Sequence, residues 1–290
     1  MIKKGIILAG GMGTRMSPLT KAVNKQLLPL YDKPLIYYPL SILMLAGIKN
    51  ILIIVNNGQL NQFKKILPEK NNLGIKLEYK VQPKPGGLPQ AFIIGEKFIG
   101  KDNVSLILGD NFFYGQSLTK ILRKSISLKS GAKIFLHPVK KPYLYGVASL
   151  NNKNIVTKIV EKPKKTKSNL AITGLYFFDN RVIELSKKLK PSKRGEIEIV
   201  DLLNNYKKKR KLTAEFIGRG GSWLDTGSIK DFYDATNFVS AIENRQGLKI
   251  ACLEEIALNN KWIGKKDLIN SISFYGNCDY SKYLKSLING

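Results

Sequence analysis

The chain has 290 residues, 43% of them apolar, enough for a sizeable core in one large domain or two small ones. No run approaches the ~20 apolar residues of a membrane span, and the only cysteines, Cys252 and Cys278, match no metal-binding spacing. The formal net charge is +27, yet seven of the 48 basic residues are arginine and the lysines are strewn from end to end, which argues against a dedicated nucleic-acid groove.

The first expected element is a buried strand over 5–9, Gly5-Ile6-Ile7-Leu8-Ala9, which empties into Gly10-Gly11-Met12-Gly13-Thr14-Arg15. Glycines let the backbone turn tightly and bring its N–H groups close to a ligand. Unblocked N–H donors beside an arginine make an anion cradle. The spacing G-G-x-G-T-R is neither the dinucleotide fingerprint nor the Walker loop. Taken alone, the loop reads equally well as a phosphate cradle and as a tight turn.

Strands are expected over 51–55, 76–81, 104–108 and 133–136, alternating with helices over 35–46, 60–67, 88–98 and 118–128. Such alternation predicts an α/β fold, a doubly wound, mostly parallel mixed sheet of Rossmann-like type. Ligands of these sheets sit beyond the carboxyl ends of the strands. Strand-like pieces over 155–160 and 171–178 then flank a polar, lysine-rich loop at 162–169. Helices near 181–189 and 197–207, a strand over 213–217 and a helix over 228–245 follow. The basic cluster Lys207-Lys208-Lys209-Arg210-Lys211 falls between a helix and a strand and reads as a solvated helix end. The last forty-odd residues look helical. Residues 1–245 are read as one compact fold and 246–290 as a small helical extension. The N-terminus lacks the length and cleavage site of a signal peptide, so a reduced, cytoplasmic chain is expected.

Asp110 follows a strand and a turn glycine, and Asp225 stands between Trp223-Leu224 and Thr226-Gly227. Each alone reads as a turn or cap residue. His137, the single histidine, precedes Pro138 with no companion, so no histidine-based nucleophile is expected.

After Gly10–Arg15 comes Lys25-Gln26-Leu27-Leu28-Pro29-Leu30-Tyr31-Asp32-Lys33-Pro34-Leu35-Ile36-Tyr37-Tyr38-Pro39-Leu40. Together these segments resemble the sugar-1-phosphate nucleotidyltransferases, and among them the glucose-1-phosphate thymidylyltransferases. The resemblance continues in order through Tyr79–Pro83, Gln90–Glu96, Leu108–Asn111, Tyr145–Val147, Glu161–Pro163, Thr173–Tyr176, Arg194–Glu196 and Gly220–Gly227. It implies that glucose 1-phosphate attacks the α-phosphorus of dTTP and expels pyrophosphate, with no covalent protein intermediate. Such chemistry depends on positioning and charge neutralisation.

The resemblance divides the catalytic fold into a nucleotide half, about 1–110, and a sugar-phosphate half, about 111–245. It assigns Mg²⁺ to Asp110 and Asp225, the leaving pyrophosphate to Arg15 with Lys25 nearby, and the sugar phosphate to Lys162 and Arg194. Leu8, Gly10, Gly11, Gly13, Thr14 and Gln26 would line the nucleotide cleft with Asp110, and Gln82 and Gly87 would read the base. Asn111, Tyr145, Gly146, Glu161, Thr173 and Tyr176 would recognise the hexose. Tyr176 also reads as a core aromatic, and Trp223 as either pocket wall or packing.

Gly86 and Pro89 stand where the family commonly has Asp and Ala. The family forms tetramers and binds its end product, dTDP-rhamnose, at a second, inter-subunit site. Tyr114, Gly115, Arg219 and Ile256 fall in the corresponding segments, while Gln116, Leu258 and Asn259 depart from the family pattern, which implies weakened feedback. A uridylyltransferase acting on the same sugar phosphate is the near alternative, and a polyanion-binding protein the alternative of another class.

Overall fold

The computed structural model describes residues 1–193 and 195–289. Strand β1 (Lys4–Ala9) leads through a small hairpin, β2 (Pro29–Leu30) and β3 (Lys33–Pro34), into α1 (Tyr37–Leu45). Then come β4 (Asn50–Asn56), α2 (Leu60–Ile66) and β5 (Lys76–Gln82). The helix expected over 88–98 is two short ones, α3 (Gln90–Ile94) and α4 (Glu96–Ile99), broken at Gly95. A Cβ on Gly95 would stand 2.9 Å from Ile6 Cδ1, so the break lies directly on the sheet. Next are β6 (Val104–Leu108), β7 (Asn111–Gly115), α5 (Leu118–Ser125), β8 (Ala132–Pro138), β9 (Gly146–Leu150), β10 (Val156–Glu161) and β11 (Leu170–Phe178). They are followed by α6 (Val182–Lys187), α7 (Ile199–Lys208), β12 (Leu212–Phe216), β13 (Gly221–Asp225) and α8 (Ile229–Gln246). Helices α9 (Leu253–Asn259), α10 (Lys265–Tyr275) and α11 (Asp279–Asn289) complete the chain.

Among the described residues the large sheet has nine strands, ordered β10-β9-β11-β6-β1-β4-β5, with β8 beside β11 and β12 beside β8. Strand β1 runs parallel to both β4 and β6, and β4 parallel to β5. Beyond β6 the pattern changes: β11 is antiparallel to β6, β8 and β9. Parallel pairing thus dominates the first part of the chain, where the strands return through helices, and recurs at the sheet's far edge, where β12 runs parallel to β8.

Side chains alternate across the sheet with period two. Ile7, Ala9, Ile51, Ile53 and Val55 face a core built with Leu40, Leu43 and Phe63. Ile6, Leu52 and Ile54 face the opposite core with Phe92 and Phe98. Burial on both faces explains the unbroken apolar runs of these strands. Strands β7 and β13 form a separate two-stranded ribbon. They lie outside the expected strands because Asn-Phe-Phe-Tyr-Gly and Gly-Ser-Trp-Leu-Asp mix aromatic with polar residues. Helix α8 covers this ribbon through Phe232, which shares a core with Phe112, Met16 and Tyr38. The α8 end is tied to the β2–β3 hairpin by Lys33 Nζ, 2.9 Å from Glu243 Oε1 in a buried pair.

The C-terminal helices pack around Cys252, Leu268, Tyr280 and Leu284. Glu254 accepts from Tyr275 and Tyr280 at 2.9 and 2.7 Å, and the Tyr275 and Tyr37 hydroxyls meet at 3.2 Å, linking the C-terminal helices to α1. No helix among the described residues is long and apolar enough to cross a membrane.

Asp179, just after β11, joins three elements. It accepts from the Gly131 N–H, from Arg181 and, at 2.9 Å, from the Tyr206 hydroxyl. Burial alone would raise its pKa, but these donors hold it below the ordinary carboxylate range. Asp179→Ala strands the Tyr206 hydroxyl and the Gly131 N–H and is expected to cost about 2–4 kcal/mol in urea unfolding. Because the folded pKa is depressed, this stabilisation is present above the ordinary carboxylate pKa and is lost as pH falls through the folded one. Parent and variant stabilities should therefore converge in acid; a gap that stays constant would refute the assignment.

Candidate active site

The carboxyl ends of β1, β4, β5 and β6 form one crest. The loop after β1 owes its path to glycine. Gly13 has φ 62°, and a Cβ there would lie 2.9 Å from Thr20 Cγ2. The Gly13 carbonyl accepts from Thr20 Oγ1 at 2.8 Å, which fastens the loop as it enters the turn bearing Thr14 and Arg15. Gly10 lies under Gln82 and Asn56, and a Cβ on it would strike Gln82 Oε1. Gly11 is exposed with open space above it. The Leu8 carbonyl accepts from the Gly109 N–H at 2.9 Å, which joins the ends of β1 and β6.

Lys25 and Gln26 occupy a second short turn, capped by Asn24 Oδ1, which accepts from the Gln26 N–H at 2.8 Å. Both side chains are buried. Lys25 Nζ contacts Asp110 Oδ2 at 2.7 Å, whereas Gln26 Oε1 is buried without a hydrogen-bond partner. An amide oxygen left this way costs about 1–3 kcal/mol, so its position favours a ligand donor.

Asp110 and Asp225 meet because β7 and β13 pair. Asp225 stands opposite Asn111, the residue after Asp110. Thr226 locks the junction: its N–H and Oγ1 both donate to the Asp110 carbonyl, at 3.2 and 2.8 Å. Asn111 Nδ2 donates to Asp110 Oδ1 at 3.1 Å, and Asn111 Oδ1 accepts from Trp223 Nε1 at 2.6 Å and the Gly174 N–H at 3.0 Å. Burial alone would raise the Asp110 pKa, but the Lys25 charge overrides it and holds the group low. Asp225 goes the other way, pushed up by burial and then by the Asp110 charge. Two adjoining carboxylates with opposed shifts, offering hard oxygen donors only, fit an oxygen-seeking divalent cation such as Mg²⁺.

Both aspartates line a cavity of about 320 Å³. Arg15, Gly87, Asn111, Tyr145, Gly146, Glu161, Lys162, Tyr176 and Trp223 reach the same cavity. Gly87 has φ 95°, and a Cβ on it would collide with the Ile197 carbonyl. Glu161 pairs with Gly146 in the β9–β10 ladder, where a Cβ on Gly146 would lie 3.2 Å from Glu161 Oε2. Lys162 is exposed and left-handed at φ 41°, with its N–H bound to the Tyr145 carbonyl at 3.0 Å. A non-glycine residue in that conformation is strained, a condition common at ligand sites. Tyr176 is both core and wall: it is buried, stacks at 6.1 Å on Phe178 and still lines the cavity. Trp223 is likewise both, packing at 5.1 Å against Tyr145 while anchoring Asn111.

Leu8, Gly10, Gly11, Gly13, Thr14, Lys25, Gln26 and Gln82 lie along the crest rather than on this cavity's wall. Thr173 is buried, its Oγ1 without a partner. Arg194 lies outside the described residues. His137 sits on β8 behind the cavity wall, its ring edge-on to Trp223 at 6.4 Å, and its pKa is lowered by burial.

Sequence reasoning assigned no role to the wall at 196–200, where Ile197 N–H donates to the Gly86 carbonyl at 3.0 Å and closes the cavity against the turn at Gly86 and Gly87. Glu196 within it was the available signal, standing in a segment that carries the resemblance. Gly227 was also passed over. A Cβ on Gly227 would stand 2.8 Å from Arg15 Nη2 and 3.1 Å from both Asp225 carboxylate oxygens. Gly227→Ala is therefore expected to push the Arg15 guanidinium and the Asp225 carboxylate out of place and lower turnover about tenfold or more, with thermal stability little changed. Wild-type steady-state rates for this variant would show that the close approach has no function.

The Nucleotidyl transferase family model matches residues 4–242. A glucose-1-phosphate thymidylyltransferase of Neisseria meningitidis is 50% identical over 285 residues, 98% of this chain and 99% of the relative. One from Mycobacterium tuberculosis is 44% identical, with the same two coverages. A solved Bacillus anthracis structure, described as a glucose-1-phosphate thymidylyltransferase in complex with sucrose, superposes with a TM-score of 0.75. It is 39% identical and covers 81% of this chain and 94% of its own. A UDP-glucose pyrophosphorylase complexed with UDP-glucose is a more distant likeness, at TM-score 0.71 and 28% identity over 85% of this chain and 100% of its own. This chain belongs to the nucleotidyl transferase family, within the group of glucose-1-phosphate thymidylyltransferases.

Proposed function

We propose that the protein transfers the thymidylyl group of dTTP to α-D-glucose 1-phosphate, giving dTDP-glucose and pyrophosphate. What carries this reading is the Asp110–Asp225 pair, joined in one ribbon and facing a cavity that also receives Arg15 and Lys162. A phosphate oxygen of glucose 1-phosphate forms the new bond to the α-phosphorus. The bond from that phosphorus to the bridging oxygen breaks, and pyrophosphate leaves with the electron pair.

Lys162 holds the incoming sugar phosphate against its repulsion from the triphosphate. Arg15 grips the departing pyrophosphate, where a planar fork suits phosphate better than a point charge. Lys25 balances charge beside Asp110, and Gln26 offers its unpartnered oxygen to a hydroxyl of the nucleotide. Gln82 and Gly87 read thymine, while Tyr145, Glu161, Asn111 and Tyr176 define the hexose pocket. Asp110 and Asp225 would hold Mg²⁺, which when bound supplies positive charge at the α-phosphate.

Pyrophosphate release from the purified protein tests the reaction. It is expected to require glucose 1-phosphate and magnesium, to run faster with dTTP than with UTP, and to fall about 100-fold or more in Asp110→Asn. Faster release with UTP would move the assignment to uridylyl transfer, and undiminished release from Asp110→Asn would remove the carboxylate pair from the chemistry.

The protein is further proposed to act in the cytoplasm as a homotetramer opening a dTDP-sugar route such as that to dTDP-L-rhamnose. Tyr114, Gly115 and Ile256 line a second cavity of about 250 Å³. Without the family's cationic pattern near Gln116, Leu258 and Asn259, dTDP-rhamnose is expected to inhibit weakly. An inhibition curve matching that of the common family form would overturn this expectation.

A further inference from the structure

Asp110 gives its two carboxylate oxygens to different donors: Lys25 Nζ stands 2.7 Å from Oδ2, and Asn111 Nδ2 stands 3.1 Å from Oδ1. Which way the Asn111 amide faces is settled by its other partners. Its Oδ1 lies 2.6 Å from Trp223 Nε1 and 3.0 Å from the Gly174 nitrogen. An indole N–H and a backbone N–H can only donate, so the atom that meets both is the oxygen. Turned over, the amide would set its own N–H groups against those donors and its oxygen against the Asp110 carboxylate.

The amide is also confined in space. Asn111 is buried, and a Cβ on Gly174 would stand 2.5 Å from its Oδ1 and 2.7 Å from its Cγ. Its oxygen accepts twice and one N–H serves Asp110, which leaves a single N–H for the cavity. The consequence falls on Asp110. An ammonium attracts both oxygens of a carboxylate, so Lys25 alone would let the group rotate until both faced it. The Asn111 donor holds Oδ1 back, and two donors on two oxygens fix the carboxylate plane.

We propose that Trp223 is a positioning residue which, acting through Asn111, sets the plane of the Asp110 carboxylate for a divalent cation. This rests on the reading of Asp110 and Asp225 as the cation-holding pair. Gly174 contributes both the second donor and the clearance that the amide needs. The indole thus has a task of its own, apart from walling the hexose.

The test measures Mn²⁺ binding to the purified protein without substrates, read from the EPR signal of the free ion. Asn111→Leu keeps the side chain's size and removes its polar contacts. It is expected to weaken Mn²⁺ binding about tenfold or more, the usual cost of losing a hydrogen-bond partner behind a metal ligand. Trp223→Phe keeps an aromatic ring without the N–H and leaves the Gly174 donor in place, so binding should weaken by a smaller factor. Gly174→Ala pushes the amide aside and should act in the same direction; these two variants carry the test where Asn111→Leu does not fold. Raising Mg²⁺ should recover part of the turnover lost in Trp223→Phe, which a mere loss of packing against the hexose would not allow.

Mn²⁺ binding unchanged in Asn111→Leu and Trp223→Phe but lost in Asp110→Asn would overturn the positioning role and leave the carboxylate pair as the cation site. Binding unchanged in Asp110→Asn as well would overturn the cation reading beneath it.

Discussion

Two carboxylates are held beside one another by a hydrogen-bonded ladder, and the rest of the site is arranged around that pair. The register of β7 and β13 sets Asp225 across from Asn111, so strand pairing rather than loop conformation brings it to Asp110. Like charges this close resist being ionised together. The chain answers by treating the two differently. Asp110 is held charged by Lys25, a buried ammonium 2.7 Å away, and Asp225 is left with its pKa raised. Thr226 and Trp223 keep the ribbon from relieving the repulsion by splaying, one through the Asp110 carbonyl and the other through Asn111.

The sheet serves this arrangement by rigidity. Its inner parallel strands, β1, β4 and β6, are buried on both faces, and close packing holds the ends of β1 and β6 in register. Onto that crest the protein sets its polar side chains on short connections with little freedom. Gly13, Gly87 and Gly227 each lie where a single added carbon would strike a neighbour. At the site, glycine functions less as flexibility than as clearance. The strained Lys162 backbone completes the pattern, because its left-handed conformation and its bond to the Tyr145 carbonyl set where the lysine leaves the chain.

Much of this was legible in residue order. The apolar runs of β1, β4 and β6 announce two-sided burial, and the glycine-rich end of β1 marks the crest. The ribbon was less legible, since β7 and β13 are short, mix polar with aromatic residues and find their partner over a hundred residues away. Local pattern carries no information on such a pairing. Asp110 and Asp225 were therefore linked by resemblance to a family, and the physical reason for their meeting needed three dimensions. The same holds for Asn111: residue order sets it beside Asp110, but only packing reveals the indole N–H behind it.

The ribbon also bears on how the chain acquires its function during synthesis. The sheet's central strand, β1, can pair on both sides once residue 108 has emerged. Asp110 then waits at the rim beside Lys25 while more than a hundred further residues are made, because its partner arrives only with β13 at Gly221–Asp225. A growing chain emerges N-terminus first, and its early segments begin to fold before the late ones exist. A nascent chain can thus possess most of its sheet and its glycine-rich loop while still lacking the second carboxylate, so the two sides of the cavity are completed at different times, set by the length of the intervening chain.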